Sequence, residues 1–224
     1  MKLVAYTRAL ELCARMNRET EVLDFIDSVP LGGVLYDLGA CEGRFALYAA
    51  LRGIRCYAFE PESMNFAAML RNIDLNGNKA KALLTPLNLA VGDRSRSASL
   101  KIGQPWAGGH QKVVDGESGR LDLAFNFTSE QMIQVVALDE FISSTGCSRP
   151  DFLKVDVDGS EIAFIKGSAK TLERRELKGI MFELHERDSS YCEVVSLLGS
   201  AGFVIANRFE VEPALFNIWF RRFE

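Results

Sequence analysis

From residue 34 onward, short apolar runs of strand length alternate with helical stretches, and this rhythm restricts the fold more than any other feature of the chain. VLYDLGA (34–40) precedes the helical pattern GRFALYAALRG (43–53), and RCYAFEP (55–61) precedes SMNFAAMLRNIDLNG (63–77), which Asn76-Gly77 stops. ALLTPLNLAVGD (82–93) reads as a third strand. After an interruption the pattern returns with PDFLKVDVDG (150–159), helix EIAFIKGSAKTLERR (161–175), strand KGIMFELHE (178–186) and helix YCEVVSLLGSAG (191–202). Such alternation predicts an α/β fold with a mostly parallel central sheet and crossover helices on both faces. FVIANRFE (203–210) and LFNIWFRR (215–222) add an antiparallel terminal pair.

Two segments stand apart from this rhythm. The first thirty residues predict one or two amphipathic helices ending near Pro30, because Arg and Glu interrupt the apolar positions as they would not in a signal peptide. Residues from about 94 to 131 predict an inserted loop or hairpin: SASLKIG (97–103) suits a strand, but QPWAGGHQKVVDGESGRLD is rich in Gly and polar residues. Trp106, Gly108, Gly109 and His110 make this stretch either an acceptor-binding lid or a plain excursion. With no repeats or low-complexity linkers, the 224 residues read as one domain.

Charge and cysteine content narrow the functional classes. A net charge of -4 opposes general nucleic-acid binding, which needs surplus Lys and Arg, and no apolar run is long enough to span a bilayer. Five scattered cysteines without a CxxC pair, and only two histidines, give no local zinc-ligand spacing. The expectation is a cytoplasmic protein with reduced thiols.

In open α/β sheets ligands bind beyond the carboxyl ends of the strands. The first strand ends in Asp37-Leu38-Gly39-Ala40-Cys41-Glu42-Gly43, where Gly39 permits a tight turn and the following helix offers free amides. The second ends in Phe59-Glu60-Pro61, with an acid 21 positions beyond Gly39 that suits the hydroxyls of a ribose. Together they predict an adenosine site. A pyrophosphate cofactor such as NAD normally brings G-x-G-x-x-G, but here the second glycine is missing and Asp37 and Glu42 stand nearby. Negative charge suits the sulfonium and ammonium of S-adenosylmethionine instead.

The sequence resembles the FkbM family of class I S-adenosylmethionine-dependent methyltransferases through DLGACEG (37–43), FEP (59–61), NLAVGD (88–93), LDEF (138–141), DFLKVDVDGSEIAFIKGSAKTL (151–172) and FELHE (182–186). It departs from the commoner pattern at Cys41, where the family more often has Asn, and at Asp158, where it more often has Glu. The resemblance implies a Rossmann-like class I fold and O-methylation of a hydroxyl, often on a sugar or natural product. It also implies cofactor contacts from Asp37, Gly39, Ala40 and Gly43 at the methionine end, Glu60 and Pro61 at the ribose, and Leu89 and Ala90 beside adenine.

Lys154, Asp156 and Asp158 share one side of the fourth strand by its two-residue period, although a central parallel strand is ordinarily apolar on both faces. Lys154 is a catalytic candidate or one half of an ion pair with Asp156 or Glu183; Asp156 is a catalytic and cofactor-binding candidate. Glu183 and His185 end the fifth strand on one side, and His185 suits removal of a hydroxyl proton. Asp156, Asp158 and Glu183 are alternatively oxygen ligands for Mg²⁺, although the set does not indicate a metal site. An NAD-dependent oxidoreductase and a non-catalytic S-adenosylmethionine-binding protein are the competing readings. The expected partner is a small-molecule or saccharide acceptor rather than nucleic acid or membrane.

Overall fold

The computed structural model describes residues 1–110, 112–114 and 126–222. Helices α1 (Arg8–Cys13) and α2 (Thr20–Asp27) precede strand β1 (Val34–Leu38), helix α3 (Arg44–Arg52) and strand β2 (Arg55–Phe59). Helices α4 (Ser63–Leu75) and α5 (Gly77–Leu83) lead to β3 (Leu84–Leu87) and the two-residue β4 (Ala90–Val91). Then come β5 (Arg96–Ile102), β6 (Lys112–Val114), β7 (Ser129–Val136), α6 (Leu138–Thr145) and β8 (Phe152–Val155). Helices α7 (Glu161–Gly167) and α8 (Ala169–Glu173), strand β9 (Gly179–His185), helix α9 (Tyr191–Ser200) and strands β10 (Val204–Glu212) and β11 (Leu215–Arg221) complete the order.

Seven strands form the main sheet in the order β10-β11-β9-β8-β1-β2-β3. β1 pairs in parallel with both β2 and β8, and β8 in parallel with β9, while β11 runs antiparallel to both neighbours. The chain moves outward from β1 through β2 to β3, then restarts on the other side with β8, so the order reverses between β1 and β8. Two apolar clusters cover the two faces. Tyr36 and Leu38 join Phe141, Phe164 and Leu198 on one, and Leu35 joins Phe25, Leu47 and Met69 on the other, as the two-residue period of β1 requires. The Rossmann-like expectation with one reversed C-terminal strand therefore holds.

Several elements differ from the sequence reading. Residues 82–93 are not one strand: β3 pairs with β2, after which Asn88 Nδ2 donates to the carbonyls of Glu60 (2.9 Å) and Pro61 (3.0 Å) and turns the chain away. Pro86 fits because β3 is an edge strand, where a missing N–H costs no ladder bond. Ala90–Val91 instead joins β7, and β4-β7-β5-β6 form a second, four-stranded sheet with its own cluster of Ala98, Leu100, Ile133 and Val135. The stretch expected as a loop or hairpin thus contributes to a sheet; residues 111 and 115–125 of it lie outside the described residues. The long helix expected at 161–175 breaks at Ser168, whose hydroxyl returns to the Phe164 carbonyl at 2.7 Å.

Candidate functional site

A cavity of about 710 Å³ opens across the carboxyl ends of β1, β2, β8 and β9, where strand order reverses. Its floor begins at the β1 turn. The Gly39 and Ala40 amides both donate to the Phe59 carbonyl, at 3.0 and 2.9 Å, binding the tips of β1 and β2 together. Gly39 has φ +79, and a Cβ added there would lie 1.8 Å from the Asp156 carbonyl oxygen. Glycine is therefore required by the close approach of the β1 and β8 tips as well as by the tight turn that the sequence suggests. Cys41 also lies in the left-handed region, at φ 52, where Asn is better tolerated than most residues.

Glu60 closes this floor. Its Oε2 accepts from the Cys41 amide and its Oε1 from the Glu62 amide, both at 2.9 Å, so the carboxylate is oriented from both sides. Each oxygen retains a lone pair, and the residue lines the cavity with Pro61, Leu89 and Ala90. Burial raises the Glu60 carboxyl above the usual range, with Lys112 acting against the rise. Ala40 also reaches the cavity wall.

Asp37 and Gly43 do not reach it. Asp37 is 0% exposed and lies beneath the floor, 3.3 Å from Lys154 Nζ. Burial pushes its carboxyl up, and Lys154 opposes the push. Gly43 is the N-cap of α3 and faces Met69. Both residues, implied by the resemblance as cofactor contacts, stand behind the cavity wall rather than in its lining.

Lys154, 4% exposed, stands 3.3 Å from Asp156 Oδ2 as well. Burial works against its charge, but Asp37 and Asp156 outweigh it and hold the ammonium protonated. The ion pair with Asp156 is therefore present; the alternative pair with Glu183 does not form, and Asp37 takes that place. Asp156, Asp158, Glu183 and His185 share the cavity wall at the β8 and β9 tips. Burial, then Asp156 and Asp158, raise the Glu183 carboxyl well above its usual range. His185 Nδ1 is buried 3.5 Å from Asp188 Oδ1. Among the described residues no three His, Cys, Asp or Glu side chains are placed to hold a metal ion, so Asp156, Asp158 and Glu183 do not form the Mg²⁺ set considered from sequence.

The roof was legible only in part: the insertion was a lid candidate, whereas nothing in the sequence pointed to the N-terminal segment. Cys13, Arg18 and Glu19 from the N-terminal segment line the cavity, as do Gly109, His110 and Lys112 from the insertion. Arg44, at the start of α3, ties the first group down: Nη1 donates to the Cys13 carbonyl at 3.1 Å and Nη2 pairs with Glu19. Thr7 Oγ1 donates to the Ala107 carbonyl at 2.7 Å, and Asn65 Oδ1 accepts from the Gly108 amide at 2.7 Å. Gly108, at φ +78, packs so closely on Ala9 and Leu10 that it serves contact rather than hinging. Trp106, named with the candidate lid, is 44% exposed and off the cavity wall. A hydrogen bond from the Cys41 thiol draws the Cys13 thiol well below its usual range against burial, with help from His110 and Arg44.

Sheet order, switch-point cavity and an oriented acid at the β2 tip together define a Rossmann-like fold of the class shared by S-adenosylmethionine-dependent methyltransferases. The chain belongs to the FkbM methyltransferase family, matching the Methyltransferase FkbM domain over residues 37–205. It is similar to the 31-O-demethyl-FK506 methyltransferase FkbM of Streptomyces tacrolimicus, 26% identical over 196 residues that cover 78% of this chain and 74% of that one. The hexuronic acid methyltransferase AglP of Haloferax volcanii is 26% identical over 152 residues, 68% of this chain and 56% of its own length. In fold it is similar to Streptococcus pneumoniae Sp1610, a putative tRNA (m1A22) methyltransferase, in complex with S-adenosyl-L-methionine. That similarity has a TM-score of 0.53 at 12% identity, covering 92% of this chain and 75% of that one. Membership of a methyltransferase family sets aside the oxidoreductase reading. Among the described residues no helix is long and apolar enough to cross a membrane.

Proposed function

We propose that this chain is a single-domain cytoplasmic O-methyltransferase that methylates a hydroxyl of a sugar or other small molecule. The observation that carries the reading is the meeting, in one cavity, of the oriented Glu60 carboxylate with Glu183 and His185 at the opposite strand tips. S-adenosylmethionine, when bound, supplies a methyl group already activated on sulfur. Glu60 would hold its ribose hydroxyls, Ala40 and Pro61 the adjoining surface, and Leu89 and Ala90 the adenine. Asp156, fixed by Lys154, would face the methionine end, with Asp37 and Gly43 supporting from behind.

His185 acts as the base in this reading. Its buried Nδ1 faces Asp188, which favours the tautomer protonated there and leaves Nε2 free to accept a proton. Glu183, made more basic by its surroundings, stands beside it and orients the acceptor. The acceptors in the relatives' names, 31-O-demethyl-FK506 and a hexuronic acid, support an oxygen acceptor of modest size. The acidic wall of Asp156, Asp158 and Glu183 suits a neutral or cationic acceptor better than a uronate or a nucleic acid. The test is a small-molecule hydroxyl library read by S-adenosylhomocysteine release. Acceptor-dependent release is expected, and His185→Ala should lower it by roughly 10²–10⁴-fold with cofactor affinity nearly unchanged. Release that no acceptor accelerates would instead indicate a non-catalytic cofactor-binding protein.

A further inference from the structure

The wall of the main cavity carries two thiols, Cys13 at the end of α1 and Cys41 in the turn after β1. One belongs to the roof and the other to the floor. Arg44, at the start of α3, donates from Nη1 to the Cys13 carbonyl at 3.1 Å and so holds the two segments together. Their thiols share a hydrogen bond, and the His110 imidazole makes another with Cys13. The two groups are not equivalent. The shared bond draws the Cys13 thiol below its usual range against burial, with help from His110 and Arg44. The same bond, then burial and the Glu42 and Glu60 carboxylates, push the Cys41 thiol up. A thiolate is the nucleophilic form, so the pair consists of an attacking sulfur and a protonated neighbour already in contact with it.

We propose that Cys13 is an oxidation site for hydroperoxides and that Cys41 resolves it as a reversible disulfide, closing the cavity against the cofactor. The inference rests on reading the main cavity as the cofactor's binding place. The Cys13 thiolate attacks the peroxide: an S–O bond forms, the O–O bond breaks and hydroxide leaves. The Cys41 sulfur then attacks the Cys13 sulfenic acid. An S–S bond forms, the S–O bond breaks, and the Cys41 proton leaves with that oxygen as water. The thiols supply the electrons that reduce the peroxide. Cys13 is only 7% exposed and is approached through the cavity, which admits a small oxidant. A disulfide of about 2.05 Å replaces a longer hydrogen-bonded contact, so one sulfur must move. Cys41 is the fixed partner: its amide donates to Glu60 Oε2 at 2.9 Å, and the Gly39 and Ala40 amides are held by the Phe59 carbonyl. The end of α1 is therefore drawn onto the turn that carries Ala40 and borders Glu60, the surface assigned above to the cofactor.

The test pairs a chemical readout with a binding one. The reduced full-length protein is treated with equimolar hydrogen peroxide, remaining thiols are capped with N-ethylmaleimide, and peptides are mapped without reductant. A Cys13–Cys41 linked peptide that dithiothreitol releases is expected. Cys41→Ser should leave Cys13 as a sulfenic acid that dimedone traps, and Cys13→Ser should leave Cys41 reduced under the same treatment. Cys13 oxidised without the link, or linked instead to Cys56, Cys147 or Cys192, would overturn the proposal. Titration of S-adenosylhomocysteine reads the closure. Affinity of the wild type should fall about tenfold or more on oxidation, because only the open fraction binds, and return with dithiothreitol. Cys13→Ser should bind equally well before and after peroxide. A linked protein with unchanged affinity would overturn the closure. Failure of the reduced wild type to bind S-adenosylhomocysteine would overturn the reading of the main cavity and the closure with it, whereas the linked peptide is decided without the cofactor.

Discussion

Glu161→Gln should stabilise the protein at alkaline pH and leave it unchanged in acid. The Glu161 carboxyl is raised from 4.5 to about 7, first by burial and then by Asp158 and Asp188, against backbone hydrogen bonds that lower it. A carboxyl with a raised folded-state pKa binds its proton more tightly folded than unfolded. Between pH 4.5 and 7 the folded state therefore holds a proton that the unfolded chain has released, and stability falls as pH rises through that window. At 1.36 kcal/mol per tenfold change in proton affinity, the loss amounts to roughly 3 kcal/mol, complete above about pH 7. Glutamine removes the ionisation while its amide oxygen still accepts from Gly159. Urea unfolding at pH 4 and pH 8 should show stabilities within about 0.5 kcal/mol at pH 4 and a variant more stable by roughly 3 kcal/mol at pH 8. A variant equal to or weaker than the wild type at pH 8 would refute the claim that this carboxylate is buried without compensation.

Lys154→Met removes the cation shared by Asp37 and Asp156 and leaves Asp37 buried alone. A loss of about 3–5 kcal/mol in urea unfolding at pH 7 is expected, and a loss under about 1 kcal/mol would mean that the triad contributes little. Cys13 should be the first cysteine alkylated by iodoacetamide at pH 6, because its thiol is drawn below the usual range while Cys56 is held above it. Peptide mass spectrometry that finds Cys13 no faster than Cys192 would contradict this.

The strand-and-turn features near the cavity were legible because each depends on local chain chemistry. The DLGACEG turn, the acid after β2 and the polar tips of β8 and β9 reflect a two-residue period meeting a ligand edge. The rest depends on contacts remote in sequence. Ala90–Val91 reads as the end of one strand over 82–93 and is a separate strand because β7 lies beside it. Asp37 reads as a ligand contact until Lys154, across the β1–β8 register, claims it from below. Cys13 and Glu19 are held at the site by Arg44, remote in sequence, and their local pattern is that of any amphipathic segment. Glu161 reads as an ordinary first-turn helix acid, and only the packing of β9 and its following turn buries it.

The most direct test of the central claim is calorimetric titration of S-adenosylmethionine into the wild type and Glu60→Gln. Glutamine preserves the carboxylate's size and one acceptor for the backbone amides that Glu60 now holds, while removing the charge that strengthens ribose binding. The account predicts one-to-one binding to the wild type. It predicts affinity weaker by about tenfold or more in the variant, for a charge-assisted bond worth about 1.5–3 kcal/mol. A wild type that does not bind, or a folded variant that binds equally well, would contradict the placement of the cofactor across the β1 and β2 tips.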